Sequence, residues 1–361
     1  MNGTMKTSDP ASTIRVVALG GGTGLPILLR GLKASFFPPG WDGHETGERN
    51  RLTAIVNVVD DGGSSGRLRR AYRVTPPGDI RNCLLALSDG DPTLMAIFNF
   101  RFNGAGDVSG HSLGNLILTA LSKLERDFLR ATNRAGELLT VRGRVLPATL
   151  DDVTLVAELD DGRRIEGESH IASSSRPIRR VSLQPEWVRA LPQAVTAIAA
   201  ADLIVIGPGS LYTSLLPILL VPDIARAIAA SRGRVAMVMD LMTEPGETDG
   251  YTGIDHLLAV RRHAPHVPIH DVLLNTRPIP QALLARYGAL GSVPVLTDVA
   301  AIRALGYRPV ERDLLGKGPK IRHDPYKLAR TILELAPKEK GETRPCTTHN
   351  SLTASAATTH I

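Results

Sequence analysis

Short aliphatic runs recur along this chain, and several of them end in glycine. Residues 14–19 (IRVVAL) run into 20–24 (GGGTG), and residues 52–59 (LTAIVNVV) run into 60–70 (DDGGSSGRLRR). Four to eight apolar residues bounded by turn residues form the pattern of a fully buried strand. Residues 25–33 predict a helix between the two. The rhythm returns later, with a helix over 190–200, a strand over 203–206, the loop 207–214 (GPGSLYTS) and a helix over 224–231. A strand at 235–239 then ends in DLMTEPGET, ahead of a helix over 253–263. Further short strands are expected at 272–274 and 293–296. Strands alternating with helices predict an α/β fold with a mostly parallel sheet.

The intervening segments fill in the outline. In TPPGDIRNCLLALSD, Pro76-Pro77-Gly78 is a breaker, and Asp79 is placed to cap a helix running to about residue 88. Two more helices are expected over 92–100 and 112–129. Residues 141–184 change character. VTLVAELDDGRRIEG alternates as a hairpin does, with Asp161-Gly162 at its turn, so this stretch reads as a small inserted β-rich lobe. A closing helix is expected over 323–336, opened by HDP. Residues 1–13 are polar, and 337–361 are rich in Thr and Ser; both are expected to be disordered. That leaves 14–336 as one domain carrying the insert, and no internal repeat is present.

Composition narrows the function classes. The chain has 361 residues, 43% hydrophobic, enough for a large core. Its formal charge of +6 is mild, and aromatic residues make up only 4%. That leaves few stacking platforms for single-stranded nucleic acid, and no nucleic-acid partner is expected. The cluster Arg67, Arg69, Arg70, Arg73 and Arg81 reads as phosphate-facing or simply solvated. The two cysteines, Cys83 and Cys346, give neither a disulfide framework nor a zinc spacing. The N-terminal residues lack an apolar signal core. The apolar stretch 211–221 holds Pro217 and is too short to span a bilayer. No membrane insertion and a cytoplasmic location are expected.

A parallel sheet delivers its strand-end loops to one edge, where ligands bind. Gly20, Gly21, Gly22, Thr23 and Gly24 would offer backbone N–H groups to an anion, with a helix N-terminus behind them. Leu25 stands where a dinucleotide fingerprint needs glycine, and no Gly-Lys-Ser/Thr follows, so the loop is neither that motif nor a Walker A loop. It can equally be a tight turn. Asp60 and Asp61 can hold Mg²⁺ through one or two oxygens, or one of them can act as a general base. Asp-Gly-Gly-Ser is also turn composition, but Ser64, Ser65 and Arg67 add donors that a plain turn does not need. Asp79 and Asn82 lie at a helix start. His111 and Asn115 are four apart, on one helix face, with no second His to suggest zinc. Gly207, Pro208, Gly209 and Ser210 repeat the logic of glycine before a helix, with Ser210 as cap. Tyr212 and Thr213 are candidates to touch a base or sugar. Thr243, Gly246 and Glu247 add a further loop, with Glu244 beside them.

Taken in order, GGGTGLPILLRGLK, DDGGSSGRLR, PPGDIRNCLLALS, GHSLGNLILTAL, ADLIVIGPGSLYTSLLP, MTEPGETDGYT and RHDPYKLA resemble the bacterial gluconeogenesis factor family, a relative of the 2-phospho-L-lactate transferases of deazaflavin coenzyme biosynthesis. The resemblance covers about residues 14–336. It implies a Rossmann-like three-layer sandwich and a role in growth and cell shape on gluconeogenic carbon sources. It also implies binding of a nucleotide sugar such as a UDP-sugar. For the transferase relatives it implies a nucleotide-linked phospholactyl donor, a deazaflavin acceptor and Mg²⁺. On this chain the two glycine loops would hold the nucleotide, while Asp60 and Asp61 match the acidic pair that faces metal and acceptor. Tyr287 and Arg322 would contact the base and a phosphate. A homodimer is compatible with this reading. Asp240 and Glu244 depart from the family pattern, which usually has asparagine and glutamine there. The loop 36–51 is long for the family, and the Thr-rich tail is extra. A nicotinamide-dependent oxidoreductase is a third alternative, opposed by the glycine spacing.

Overall fold

The computed structural model describes residues 14–38, 40, 48–174 and 176–337. The polar N-terminus, the tail beyond 337 with Cys346, and most of the loop between 38 and 48 lie outside the described residues. Seven strands build the main sheet: β1 (Val16–Gly20), β2 (Leu52–Val56), β3 (Arg144–Pro147), β7 (Leu203–Ile206), β8 (Arg234–Val238), β9 (Asp271–Asn275) and β10 (Arg308–Arg312). The missing numbers, β4 (Thr154–Leu159), β5 (Arg164–Glu166) and β6 (Ile178–Gln184), form a separate antiparallel sheet in the order β5-β4-β6. The main sheet runs β10-β9-β8-β7-β1-β2-β3, and every pair in it is parallel.

The apolar runs are continuous because both sheet faces are covered. Successive side chains of a strand point to opposite faces, and the core divides accordingly. Val17, Leu19, Ile204 and Ile206 join one apolar cluster, which also takes in Leu155, Ala157 and Val181 of the lobe. Val16, Ala18, Leu203 and Val205 join the other, with Leu25, Leu28 and Leu32 of helix α1 (Gly24–Phe36). Gly31 lets α1 lie directly on the closing helix Pro325–Leu333: a methyl group there would stand 1.8 Å from the Pro325 carbonyl oxygen. No single helix among the described residues is long and apolar enough to cross a membrane. The segments Leu211–Leu219 and Pro222–Ala230 pass the length and composition test only together, and they meet at 72°.

Several expectations are corrected. The stretch 141–184 is not all lobe, since β3 is the outermost strand of the main sheet, paired with β2. The hairpin about Asp161-Gly162 forms as expected. The acidic glycine segment is helical from Gly63, as α2 (Gly63–Tyr72). The single helix expected over 112–129 is two, Leu113–Glu125 and Phe128–Leu138, broken at Arg126 in left-handed backbone. Residues 293–296 form no strand; Pro294 makes an isolated bridge to Met242. The helices Gln281–Gly288 and Val299–Ala304 and strand β10 had no counterpart in the sequence reading. Their alternation is short, and β10 is an edge strand that is polar on its exposed side.

One ion pair holds the far edge of the sheet. Asp271 opens β9 fully buried and binds Arg234 of β8 and Arg308 of β10, with one contact at 2.8 Å to Arg234. Burial pushes its carboxyl up, but the two guanidiniums more than offset this and hold it below the usual carboxylate range. Asp271→Asn leaves one arginine largely buried without its partner and is expected to cost about 3 kcal/mol in urea unfolding. The stability from this carboxylate is present above its unfolded pKa of about 3.9 and is lost as pH falls through its lower folded value.

Candidate functional site

The strand order reverses between β1 and β7, and the loops that follow these two strands diverge to opposite faces. That is the switch point where open α/β sheets bind ligands. Both loops there are glycine-rich, and they touch. A methyl group on Gly24 would stand 2.3 Å from the Pro208 carbonyl oxygen. Gly22 has φ +58 and Gly207 has φ +86, left-handed backbone that glycine adopts without a Cβ penalty. The Gly207–Pro208 peptide is cis.

The N–H groups of these loops are satisfied by carboxylates from neighbouring strand ends. The Gly22 N–H donates to Asp79 Oδ2 at 2.7 Å. The Gly209 N–H donates to Asp240 Oδ1 at 3.3 Å. The N–H groups of Tyr212 and Thr213 both donate to Glu247 Oε2 at 3.2 Å, and the Thr213 hydroxyl donates to Oε1 at 2.7 Å. The Gly62 N–H donates to Asp60 Oδ1 at 3.0 Å. The Ser169 N–H, in the short lobe helix Glu168–Ala172, donates to Asp61 Oδ1 at 2.9 Å. Asp79 therefore does not cap its own helix, α3 (Gly78–Leu87), but closes the glycine loop. Ser210 makes no side-chain cap, and Glu247 fills that role.

These acids crowd one another. Burial pushes Asp79 up to about 6, with the Asp60 charge adding to it. Burial pushes Glu168 up to about 8, helped by Asp60, Asp61, Asp79 and Glu247. Asp240 rises to about 8 and Glu247 to about 7, each mainly by burial and then by neighbouring glutamates, against the bonds they accept. Burial also raises Asp60, against hydrogen bonds from Ser65 and Gly62. The two members of the sequence-predicted pair are separated in role. Asp61 is engaged by the lobe, whereas Asp60 lies beside Ser65 and near Glu168. Measured from a methyl group built on Gly62, Asp60 Oδ1 is 3.5 Å away and Glu168 Oε2 is 4.0 Å away. Among the described residues, no group of three or more His, Cys, Asp or Glu side chains is gathered closely enough to hold a metal ion.

The other expected site residues fall into two sets. The loop residues Gly20, Gly21, Gly22, Thr23, Gly24, Gly207, Pro208 and Gly209, with Ser65, Asp60 and Asp79, come together at the switch point. Ser64 lies just beneath, buried, in contact with His111 Nδ1 at 2.9 Å and accepting from Asn115 Nδ2 at 3.1 Å. Burial, with Arg67 and Arg101 nearby, lowers the His111 pKa and favours the neutral ring. The remaining candidates are placed differently. Tyr212 is fully buried, its hydroxyl 2.8 Å from that of Tyr251, so its ring is not presented to a ligand. Thr213 is buried against Glu247. Thr243 is buried and pins the 292–293 segment through its carbonyl and hydroxyl oxygens. Gly246 lets its loop press on the lobe, where a methyl group would stand 2.6 Å from the Ser174 carbonyl oxygen. Asn82 accepts from Arg81 at 2.6 Å, and Arg67 turns out to Ser109 O at 2.6 Å. Tyr287 accepts the Ile321 N–H at 3.2 Å, while Arg322 is exposed on the adjacent segment, close enough to Arg30 of α1 to lower its pKa.

Three residues of the cluster were not among the expected site residues. Asn57 donates to Thr213 O at 2.8 Å and ties the end of β2 to the loop after β7. Asp240 was noted only as a departure. Glu168 sits in the lobe, far along the chain, and nothing in Gly-Glu-Ser signals that the lobe folds back over Asp60.

Comparison with known proteins places this geometry. The model of the family described as 2-phospho-L-lactate transferase CofD matches residues 16–315. A putative gluconeogenesis factor of Nostoc is 48% identical over 89% of this chain and 68% of its own length. The gluconeogenesis factor of Bacillus subtilis is 43% identical over 89% of this chain and 98% of its own. The crystal structure of a Bacillus halodurans protein of the UPF0052 family superposes with a TM-score of 0.83, at 43% identity, over 89% of this chain and all of that one. The chain belongs to the CofD family and, within it, groups with the gluconeogenesis factors.

Proposed function

We propose that this protein binds a nucleotide-linked small molecule, a nucleotide sugar, in the crevice between the loops after β1 and β7. In this reading it is a cytoplasmic regulator of growth and cell shape on gluconeogenic carbon, with binding rather than turnover as its role. The observation that carries the reading is the contact of two glycine loops at the switch point, each already bound to a carboxyl side chain through an N–H group. Loops that hold a carboxylate there can hold a diphosphate, whose oxygens accept the same bonds. The engagement of Asp61 by the lobe and the burial of Tyr212 leave neither a free carboxylate pair nor that ring to stack a flat acceptor.

A transferase is the second reading, favoured by the nearness of Asp60 and Glu168. Mg²⁺ commonly takes one or two carboxylates and completes its shell with water and substrate phosphate. Asp60 and Glu168 fit that partial donor set and are the residues that would hold it. The metal would neutralise charge on a leaving nucleotide. In that reaction Asp60, which accepts from Gly62 and Ser65, would position or deprotonate the acceptor hydroxyl.

Titration calorimetry of the full chain with UDP-glucose is expected to give saturable binding. No heat at millimolar ligand contradicts the reading. Gly24→Ala pushes the loops apart and is expected to weaken binding at least tenfold, with an overpacking cost of about 2 kcal/mol seen in thermal unfolding. Affinity is expected to fall as pH rises from 7 to 9, because Asp240, raised to about 8, gains its charge beside the phosphates in that window. Asp240→Asn is expected to flatten this profile; an unchanged slope would remove Asp240 from the account.

A further inference from the structure

A second hollow lies on the outer side of α2, away from the glycine crevice. It has a volume of about 640 Å³ and adjoins a smaller one of about 370 Å³. The two share Arg73, Val74, Thr75 and Leu150, so they form one groove. Its floor is partly apolar, through Val74 and Leu150, and beside the paired Arg69 it is lined by four further cations: Arg70, Arg73, Lys123 and Arg126.

These four cations make no ion pair with any described residue, although ion pairs are common elsewhere on this surface. The acids along the groove are already engaged. Asp152 pairs with Arg69 at 2.5 Å, Asp151 accepts the Arg189 N–H at 2.8 Å, and Asp127 accepts the Arg130 N–H at 2.6 Å. Five cations and four carboxylates (Asp61, Asp127, Asp151 and Asp152) thus line the groove, and Arg70, Arg73, Lys123 and Arg126 remain outside any ion pair over its partly apolar base.

Backbone geometry adds an independent observation. Arg73 and Arg126 each close a helix in left-handed backbone, at φ 49 and φ 54, where glycine is the favoured residue. A side chain there is disfavoured, because Cβ crowds the following carbonyl oxygen. Two arginines occupy such positions on two different helices, and both line the same hollow.

We propose that this groove is a binding site for a small phosphorylated molecule, carrying at least two negative charges on an apolar or sugar frame. Its volume suits a small molecule, and planar guanidiniums match phosphate oxygens bidentately. Asp61 and Gly66 also border the groove, so an occupant touches the back of the segment that carries Asp60. The site does not rest on the reading of the glycine crevice.

The test uses inorganic pyrophosphate as probe, titrated into the full chain at 150 mM salt with calorimetric detection. The variants are Arg73→Gly, Arg126→Gly and the pair together. Glycine suits left-handed backbone, so melting temperatures are expected to hold, and a loss of binding is then not a loss of folding. The double variant is expected to lose one class of pyrophosphate site, or to bind it at least tenfold more weakly, while UDP-glucose titration is unchanged. Pyrophosphate binding equal to that of the unaltered chain, or no saturable pyrophosphate binding by the unaltered chain at millimolar concentration, overturns the proposal.

Discussion

The site depends on one interaction, a backbone N–H at this sheet edge donating to a carboxyl side chain. It recurs at Gly22 with Asp79, Gly209 with Asp240, Tyr212 and Thr213 with Glu247, Gly62 with Asp60, and Ser169 with Asp61. Loop N–H groups at a sheet edge need partners, since a buried donor without one costs free energy. Here carboxyl side chains supply them. The same bonds tie the loop after β1 to helix α3, the loop after β7 to the segment after β8, and the loop after β2 to the lobe.

Those bonds set the electrostatics. Burial raises the pKa of these carboxyl groups, and bringing several to one edge raises them further. Asp79, Glu168, Asp240 and Glu247 all sit above their ordinary range for these two reasons. The edge is therefore poised to take up protons or a cation, and an anion that binds there would exchange with these carboxyl groups for the loop N–H bonds. The opposite edge behaves otherwise: Asp271 is held low between two arginines and serves the sheet.

Much of this was legible in the chain. The apolar runs that became β1, β2, β7, β8 and β9 are too continuous for a half-exposed sheet, and glycine after β1, β2 and β7 marks their loops. The hairpin at Asp161-Gly162 follows from alternation and a turn dipeptide. What sequence could not supply was pairing across distance. Asp79 looks like a helix cap because it stands at a helix start, yet its partner is Gly22. Tyr212 looks like a ligand contact because it follows a glycine loop, yet it fills the core. Glu168 carries no local signal; it matters because the lobe folds over Asp60. The helix break at Arg126 was hidden because no glycine or proline marks it.

The central claim is that ligand phosphates enter a cluster of proton-hungry carboxylates. Calorimetry of UDP-glucose binding at pH 8, with metal chelated, in two buffers of different ionisation enthalpy measures the protons exchanged on binding. The account predicts net proton uptake, because a bound diphosphate pushes the pKa of Asp240 and Glu168 still higher. Proton release, or no exchange, would contradict it.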